Sequence, residues 1–179
     1  MALALGIGLA MLPAVQPALR REIDAAASKA DFSVNHIYVE RVSGSVPIAG
    51  GTVVLPGGLA IPTEVTATLD ASRIRTGDDD RDASLQGPDW FDVKHFPTWT
   101  FESTQITPSS PTAFAMEGLL TIRGVSQNER LDVTVAGSPE HPVFHATGTI
   151  DRHAFGMPVT RLDPVIGNPV SVTLDIVLK

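Results

Sequence analysis

Apolar and polar residues alternate along short segments that recur over most of this chain. In residues 63–70, Val65, Ala67 and Leu69 alternate with charged and hydroxyl side chains. A period of two places the apolar side chains on one face of a β-strand. The same period, or an apolar run beside glycines, recurs in residues 32–34, 46–55, 98–106, 114–122, 131–135, 144–150 and 172–178. The sequence therefore predicts an all-β fold of about eight strands.

Turn-forming residues separate these segments. The separators are Pro56-Gly57-Gly58, residues 108–111, Gly124 and Ser138-Pro139. No long segment has the period of a helix, so only short helical turns are expected, around residues 88–91 and near Phe155. A chain of 179 residues is near the size of one domain and is long enough to bury a core.

Antiparallel strands in one domain either stack as a sandwich or close as a barrel. The side chains expected to point inward are almost wholly apolar. A packed core and the lining of an apolar cavity use the same residue types, so the sequence leaves both interiors open. The inward set comprises Phe32, Val34, Val65, Leu69, Trp99, Phe101, Phe114, Met116, Leu120, Val133, Phe144 and Ile150.

Charge and composition exclude several functions. The formal net charge of -7 argues against a nucleic-acid partner, because phosphate binding needs clustered Lys and Arg. The chain has no cysteine and no Gly-x-Ser-x-Gly motif, so it lacks a thiolate nucleophile and an esterase-type serine. His141, His145, His153 and the acidic residues 78–80 lack the spacing of a metal site. We therefore expect neither an enzyme nor a bound metal or cofactor.

The first 18 residues are apolar apart from Gln16. Glycine and proline interrupt them, no basic residue precedes them, and they are too short for a comfortable membrane span. The sequence predicts a secretory signal peptide at residues 1–18, removed near Leu19, and one β domain at residues 19–179.

Several motifs resemble one known family. Near the start, Asp24, Ser28, Phe32, Val34 and His36 follow the spacing Asp-x3-Ser-x3-Phe-x-Val-x-His. The later motifs are Arg73-Ile74-Arg75-Thr76, Arg81-Asp82, Leu85, Trp90-Phe91-Asp92-Val93, Pro97, Thr100-Phe101, Ser103-Thr104 and residues 118–125, 131–133 and 150–157. In this order and spacing, residues 21–179 resemble the YceI-like family.

The resemblance implies a lipocalin-like, eight-stranded antiparallel barrel with short helical turns. Members of this family are usually exported to the bacterial periplasm, bind polyisoprenoid chains such as those of quinones or prenyl diphosphates, and are often dimeric. The implied ligand is an isoprenoid lipid or quinone. A homodimer, and a membrane protein that delivers or receives the lipid, are candidate partners. Ala27 and Ser84 stand where members often carry histidine, so head-group contacts are expected to differ.

Two basic residues near the predicted cavity mouth are candidates for binding a head group. His36 shares the strand phase of Phe32 and Val34, so it either bonds a quinone oxygen or is a buried structural histidine. Arg81 either holds a diphosphate or carbonyl oxygen with its planar fork or pairs with Asp82 to fix the loop.

Three more residues complete the candidate site. Arg152 follows its strand phase into the interior, where an unpaired guanidinium is too costly, so Asp82 or Asp92 is the expected partner. Trp90 and Phe91 are expected to cap the end of the barrel, with gating of its entrance as the alternative.

The resulting hypothesis is a protein that binds and carries or stores a polyisoprenoid or similar long-chain lipid inside an apolar barrel, without chemistry. The alternative is a solid-cored barrel that acts as a stress-related interaction protein without lipid. A carrier should have a continuous apolar space inside, whereas an interaction protein should have a filled barrel and an exposed apolar patch.

Overall fold

The computed structural model describes residues 17–36, 41–57, 59–138, 140–157 and 166–179. These residues form ten strands and one short α-helix. The strands are β1 (Leu19–Glu22), β2 (Lys29–His36), β3 (Val42–Ser45), β4 (Ile48–Leu55), β5 (Glu64–Asp70), β6 (Thr98–Ser110), β7 (Ala113–Ile122), β8 (Val125–Ser138), β9 (His141–Asp151) and β10 (Ile166–Val177), and the helix is α1 (Asp79–Gln86). No helix in the described part of the chain has the length and apolar character needed to cross a membrane.

All of these strands belong to one antiparallel sheet. Strands β4 to β10 pair in chain order, and β2 continues the sheet beyond β10. At the two ends of the sheet, β1 pairs with β4 and β3 pairs with β2. The first part of the chain therefore supplies both ends of the sheet, and the rest is an up-and-down meander.

Backbone contacts join the two ends of the sheet. Ile23, directly after β1, forms a bridge with Leu178, directly after β10. The amide of Asp24 donates to the carbonyl of Val177 at 2.8 Å, and the amide of Lys179 donates to a carbonyl at the end of β1 at 2.9 Å. The segment that begins with β1 thus lies between β4 and the end of β10, and the sheet curls into a barrel.

The prediction of an all-β antiparallel barrel is confirmed, although the described strands number ten rather than eight. The eight predicted segments correspond to β2 and to β4 through β10. The additional strands are β1 and β3, with four residues each. Their sequences, Leu-Arg-Arg-Glu and Val-Ser-Gly-Ser, lack apolar alternation. They pair because neighbouring strands offer backbone partners, which no pattern within four residues can reveal.

One face of each long strand points into the barrel. On β7, Phe114, Met116 and Leu120 are buried, whereas the apolar and polar residues between them are partly or fully exposed apart from one glycine. Leu131 and Val133 of β8 show the same alternation. Burial of such side chains is the main favourable term for folding, at about 25 cal/mol per Å² of apolar surface.

The helix α1 lies where the sequence was expected to form a loop. The side chain of Asp78 caps its first turn by accepting from the amide of Arg81 at 2.9 Å, and further acidic residues in that turn complement the helix dipole. Residues 88–91 form hydrogen-bonded turns rather than a helix, with the amide of Trp90 donating to the carbonyl of Gly87 at 3.1 Å. The turn near Phe155 is confirmed as a 3-10 helix, Arg152–Phe155.

Gly118 on β7 makes room for the ring of Phe101 on β6. A Cβ atom at Gly118 would overlap that ring and lie 2.6 Å from the carbonyl oxygen of Glu102. We expect Gly118→Ala to lower the free energy of unfolding by about 1–3 kcal/mol, because overpacking forces both strands to shift. Chemical denaturation measures the loss. Gly50→Ala is the control, since a Cβ there meets nothing within 4 Å; equal losses in both variants would contradict the expectation.

Candidate functional site

An apolar cavity, the inner cavity, lies inside the barrel with a volume of about 150 Å³. Its wall is apolar apart from Asp31, Glu129 and Arg130, of which Asp31 and Arg130 are exposed residues. The residues of the predicted inward set that lie on the wall of this cavity alone are Val65, Leu69, Phe101, Phe114, Met116, Leu120, Val133 and Phe144. The interior is therefore not a fully packed core.

A second cavity, the outer cavity, lies between the end of the barrel and α1 with the loop that follows it. Its volume is about 410 Å³. The side chains of Thr76, Arg81, Ser84 and Arg152 contribute to its wall, which is otherwise apolar. The predicted site residues on the wall of this cavity alone are Val34, Arg81, Trp90, Phe91 and Arg152.

Five residues lie on the walls of both cavities, and we call them the dividing ring. They come from β2, β6, β7, β9 and β10 and mark the boundary where the two cavities adjoin. The members are Phe32, Trp99, Ile122, Ile150 and Val172. The sequence predicted three of them as site residues. On one side of these residues lies an apolar inner space, and on the other lies an outer space that has polar groups on its wall.

Arg152 is a buried cation on the wall of the outer cavity, with 4% of its surface exposed. Its Nε donates to the carbonyl of Gly167 at 3.2 Å and its Nη2 to that of Ile166 at 3.3 Å. The guanidinium also lies 5.7 Å from the centre of the Trp90 ring, within reach of a cation–π interaction. The side chain points inward as predicted.

The prediction that Asp82 or Asp92 is the ion-pair partner of Arg152 is wrong. Asp82 accepts hydrogen bonds from Thr76, and Asp92 contacts His95 Nδ1 at 2.9 Å. The described contacts of the guanidinium include backbone carbonyls at the start of β10 and the face of an aromatic ring. The sequence could not indicate these partners, because carbonyls carry no residue signature.

Thr76 connects two charged residues of α1, Arg81 and Asp82, to the barrel end. Asp82 is buried and accepts from the amide of Thr76 at 2.8 Å and from its hydroxyl at 2.6 Å. Arg81 Nε donates to the same hydroxyl at 2.7 Å, and its Nη2 donates to the Thr76 carbonyl at 2.9 Å. The predicted Arg81–Asp82 ion pair is therefore replaced by a shared threonine, and the acidic neighbour of Arg81 is Asp78 at 4.0 Å. Asp82 is not among the described wall residues of the inner or the outer cavity.

Trp90 and Phe91 lie on the wall of the outer cavity. The Phe91 ring packs on Trp99 with ring centres 4.7 Å apart. The carbonyl of Trp90 accepts from Arg123 Nη1 at 2.6 Å, which ties the loop to the turn between β7 and β8. Their loop is thereby attached both to the dividing ring and to the barrel end.

Two predictions fall outside the described part of the chain. His36 is the last residue of β2 and pairs with Ile166 of β10, but its side chain is not among the described ones. The proposed signal peptide lies mostly in residues 1–16, which are likewise not described. The roles assigned to His36 and to the N-terminal segment stay predictions.

Glu129 is a wall residue that the sequence interpretation missed. It lies on β8 opposite Gly118 and shares the strand phase of Leu131 and Val133, which places it on the inner cavity wall. Burial raises the pKa of Glu129, and the nearby charge of Asp151 raises it further. Extending the alternation of residues 131–135 back by one strand period would have found it.

Comparisons with known proteins place the chain in a family. The family model described as a YceI-like domain matches residues 22–178. A UPF0312 protein of Staphylococcus aureus (strain bovine RF122 / ET3-1) is 30% identical over 141 residues, which cover 75% of this chain and 80% of that protein. A UPF0312 protein of Staphylococcus aureus (strain N315) also matches over 141 residues at 30% identity, with the same coverage of both chains.

Solved structures share the fold. BcnA from Burkholderia cenocepacia matches with a TM-score of 0.75 at 24% identity, over 88% of this chain and 99% of that chain. A polyisoprenoid binding domain from Saccharophagus degradans matches with a TM-score of 0.66 at 14% identity, over 88% of this chain and 97% of that chain. At these identities the likeness establishes the barrel architecture.

The shared hydroxyl of Thr76 generates a stability prediction. Thr76→Val removes the donor to Asp82 and the acceptor for Arg81 while keeping the shape of the side chain. We expect the free energy of unfolding to fall by about 1–3 kcal/mol, the cost of leaving buried polar groups without partners. Thr76→Ser keeps the hydroxyl and is the matched control. Denaturation curves in which valine and serine are equally stable would contradict this role.

Glu129 generates a pH prediction. Its folded-state pKa lies above the ordinary value of 4.5, so its contribution to stability is fully present below that value and is lost as pH rises through the raised pKa. We expect Glu129→Gln, which stays neutral, to become increasingly more stable than the wild type as pH rises toward neutrality. The measurement is the denaturant midpoint against pH. Glu102→Gln, on the exposed face of β6, is the control; parallel curves for Glu129→Gln and the wild type would contradict the prediction.

Proposed function

The chain belongs to the YceI-like family, and from that premise we propose that it binds a polyisoprenoid or similar long-chain lipid inside its barrel. The observation that carries the proposal is the pair of adjoining apolar cavities, of about 150 and 410 Å³. Together they offer a long apolar path that begins near polar groups and ends among strand side chains. A lipid with a polar head group and an apolar chain has the same distribution of polarity as this path.

The energetics favour an occupant of this kind. An empty cavity destabilises a core by about 24 cal/mol per Å³, which for the inner cavity corresponds to about 4 kcal/mol. A water molecule in the inner cavity is poorly stabilised, because the apolar wall offers few of the two to four hydrogen-bond partners that a buried water needs. A hydrocarbon chain restores the lost contacts and gains roughly 0.8 kcal/mol for each buried CH₂ group.

The polar wall residues favour one orientation of the lipid. Arg152 and Arg81 are cations on the outer cavity wall, and Thr76 and Ser84 add hydroxyl groups. A quinone carbonyl or a prenyl phosphate offers oxygen acceptors that match these donors. The head group therefore lies in the outer cavity and the chain points toward the inner cavity. His36, at the end of β2, is a further proposed head-group contact.

Binding without chemistry is the function that the family and the site support. The solved structure from Saccharophagus degradans is a polyisoprenoid binding domain, which supports a lipid-binding role for this chain as well. The alternative, an interaction protein with a filled barrel, has less support. Among the described residues, the large apolar side chains that are exposed are Leu19, Leu59 and Leu119, whereas both cavities are substantial.

We also propose that the protein is exported to the periplasm. The support is the apolar character of the first 18 residues of the sequence, which is typical of a secretory signal. An export route would bring the barrel to a membrane surface where prenyl lipids are present. A homodimer and a membrane protein that exchanges the lipid stay predictions.

Blocking the outer cavity tests the proposed function. Val170 lies on the outer cavity wall, and its neighbour Ser171 is exposed. We expect Val170→Phe to weaken binding of tritiated geranylgeraniol by about tenfold or more, because the added ring occupies the space of the chain. Ser171→Phe is the matched control and should bind as the wild type does. Absence of saturable binding to the wild type, or equal binding by both variants, would reject the proposal.

A further inference from the structure

Glu129 brings a carboxyl group to the wall of the inner cavity, which is otherwise almost wholly apolar. On the β7 side it lies opposite Gly118 in the strand register. Gly118 has no side chain, and the ring of Phe101 occupies the space where a Cβ atom would lie. The surroundings of the carboxyl group on this side are therefore apolar, and no polar side chain of β7 covers it at this register.

The pairing of the barrel wall also changes beside Glu129. The register of β8 with β9 ends at the pair Leu131 and Gly148, although both strands continue beyond these residues. Glu129 lies one strand period past Leu131, and Ile150 lies one period past Gly148. The carboxyl group thus lies where the two strands cease to pair. Its residue is partly exposed, so it can exchange a proton with solvent.

The nearest charge is a second carboxylate. Asp151, at the end of β9, acts on Glu129 through its negative charge. Although burial acts to raise it, hydrogen bonds from the side chain of Asn168 and from the amide of His153 hold the pKa of Asp151 below its ordinary value of 3.8. Asp151 therefore stays ionised over the pH range in which Glu129 titrates, and its repulsion is constant there.

The cations on neighbouring elements are directed elsewhere. Arg130, the next residue of β8, lies on the outer face and pairs with Glu117 at 3.8 Å and with Asp132 at 3.2 Å. Arg152 of the 3-10 helix donates to backbone carbonyls at the start of β10. Within the described part of the chain, no lysine or arginine forms an ion pair with Glu129. Ionisation of Glu129 therefore places an uncompensated charge on the cavity wall.

An apolar chain in the inner cavity covers this carboxyl group and removes it further from water. The neutral acid tolerates such cover, whereas the carboxylate loses hydration that the apolar wall does not replace. Burial already raises the pKa of Glu129 in the empty barrel, and repulsion by Asp151 raises it further. A bound chain raises it again. Lipid affinity is therefore highest below the pKa of the empty barrel and falls as pH rises through it.

We propose that Glu129 makes lipid binding depend on pH, so that the barrel holds its lipid more tightly in acid and releases it more readily as pH rises toward neutrality and above. The inference rests on the proposed function and adds a means of regulating the same site. Protonation of one wall residue changes the interior from an apolar space to one that carries a charge.

Binding of an uncharged lipid at different pH values tests the proposal. Tritiated geranylgeraniol is suitable, because its alcohol group does not titrate between about pH 5 and about pH 8, the range used for the purified full chain. We expect the wild-type Kd to be about tenfold weaker at the upper end of this range than at the lower end. Circular dichroism at each pH defines the conditions in which the protein is folded. A constant Kd would overturn the inference and leave the proposed function intact, whereas absence of binding at every pH would reject both.

Glu129→Gln assigns the dependence to this residue. The amide stays neutral, so we expect its Kd to remain near the acid value of the wild type at all pH values. Glu102→Gln, on the exposed face of β6, is the matched control and should follow the wild type. Asp151 and His153 are retained in Glu129→Gln. An unchanged pH dependence in Glu129→Gln would therefore belong to other groups and would contradict the role of Glu129.

Proton uptake on binding is an independent measurement of the same coupling. Calorimetric titration of the protein with geranylgeraniol, in buffers of different ionisation enthalpy, gives the number of protons taken up for each lipid bound. We expect the wild type to take up part of a proton near the pKa of Glu129 and Glu129→Gln to take up none. Equal uptake by the wild type and Glu129→Gln would overturn the inference.

Discussion

Each long strand of this protein has one apolar face, and the barrel exists because those faces must leave water together. A flat sheet would leave them exposed, and a sandwich would need a second sheet. Closure near Ile23 and Leu178 lets a single sheet cover its own apolar side. The same closure surrounds a space that the side chains do not fill, so the interaction that stabilises the fold also produces the two cavities.

Polarity is distributed unevenly around that space. Almost all of the side chains that the strands contribute to the inner cavity are apolar, because the alternating pattern places the apolar side chains of each strand inside the barrel. The outer cavity receives its polar groups from Thr76, from α1 and from the 3-10 turn that follows β9. The contacts differ in kind: Asp82 uses its carboxylate to hold Thr76, whereas Arg152 places a buried cation on a cavity wall. Asp82 thus holds the local structure of the barrel end, whereas Arg152 faces a cavity there.

Structural features that depend on consecutive residues could be predicted from the sequence, whereas features that depend on residues distant in the chain could not. Alternation in residues 114–122 located a strand because side-chain period is a property of a few consecutive residues. The helix α1 escaped because Asp-Asp-Arg-Asp-Ala-Ser-Leu-Gln has no apolar period, and its support is the cap at Asp78 and the bond to Thr76. Division of the interior into two cavities depends on how Phe32 and Trp99 meet other strands across the barrel, which no local pattern records.

The central claim is that an apolar chain occupies the interior of this barrel. A crystal structure of the protein with geranylgeraniol tests it most directly, because it shows where the lipid lies. The account predicts continuous density that begins in the outer cavity near Arg152 and crosses the dividing ring beside Trp99 into the inner cavity. Both cavities remaining empty at saturating lipid, or lipid bound only on the outer face of the sheet, would contradict it.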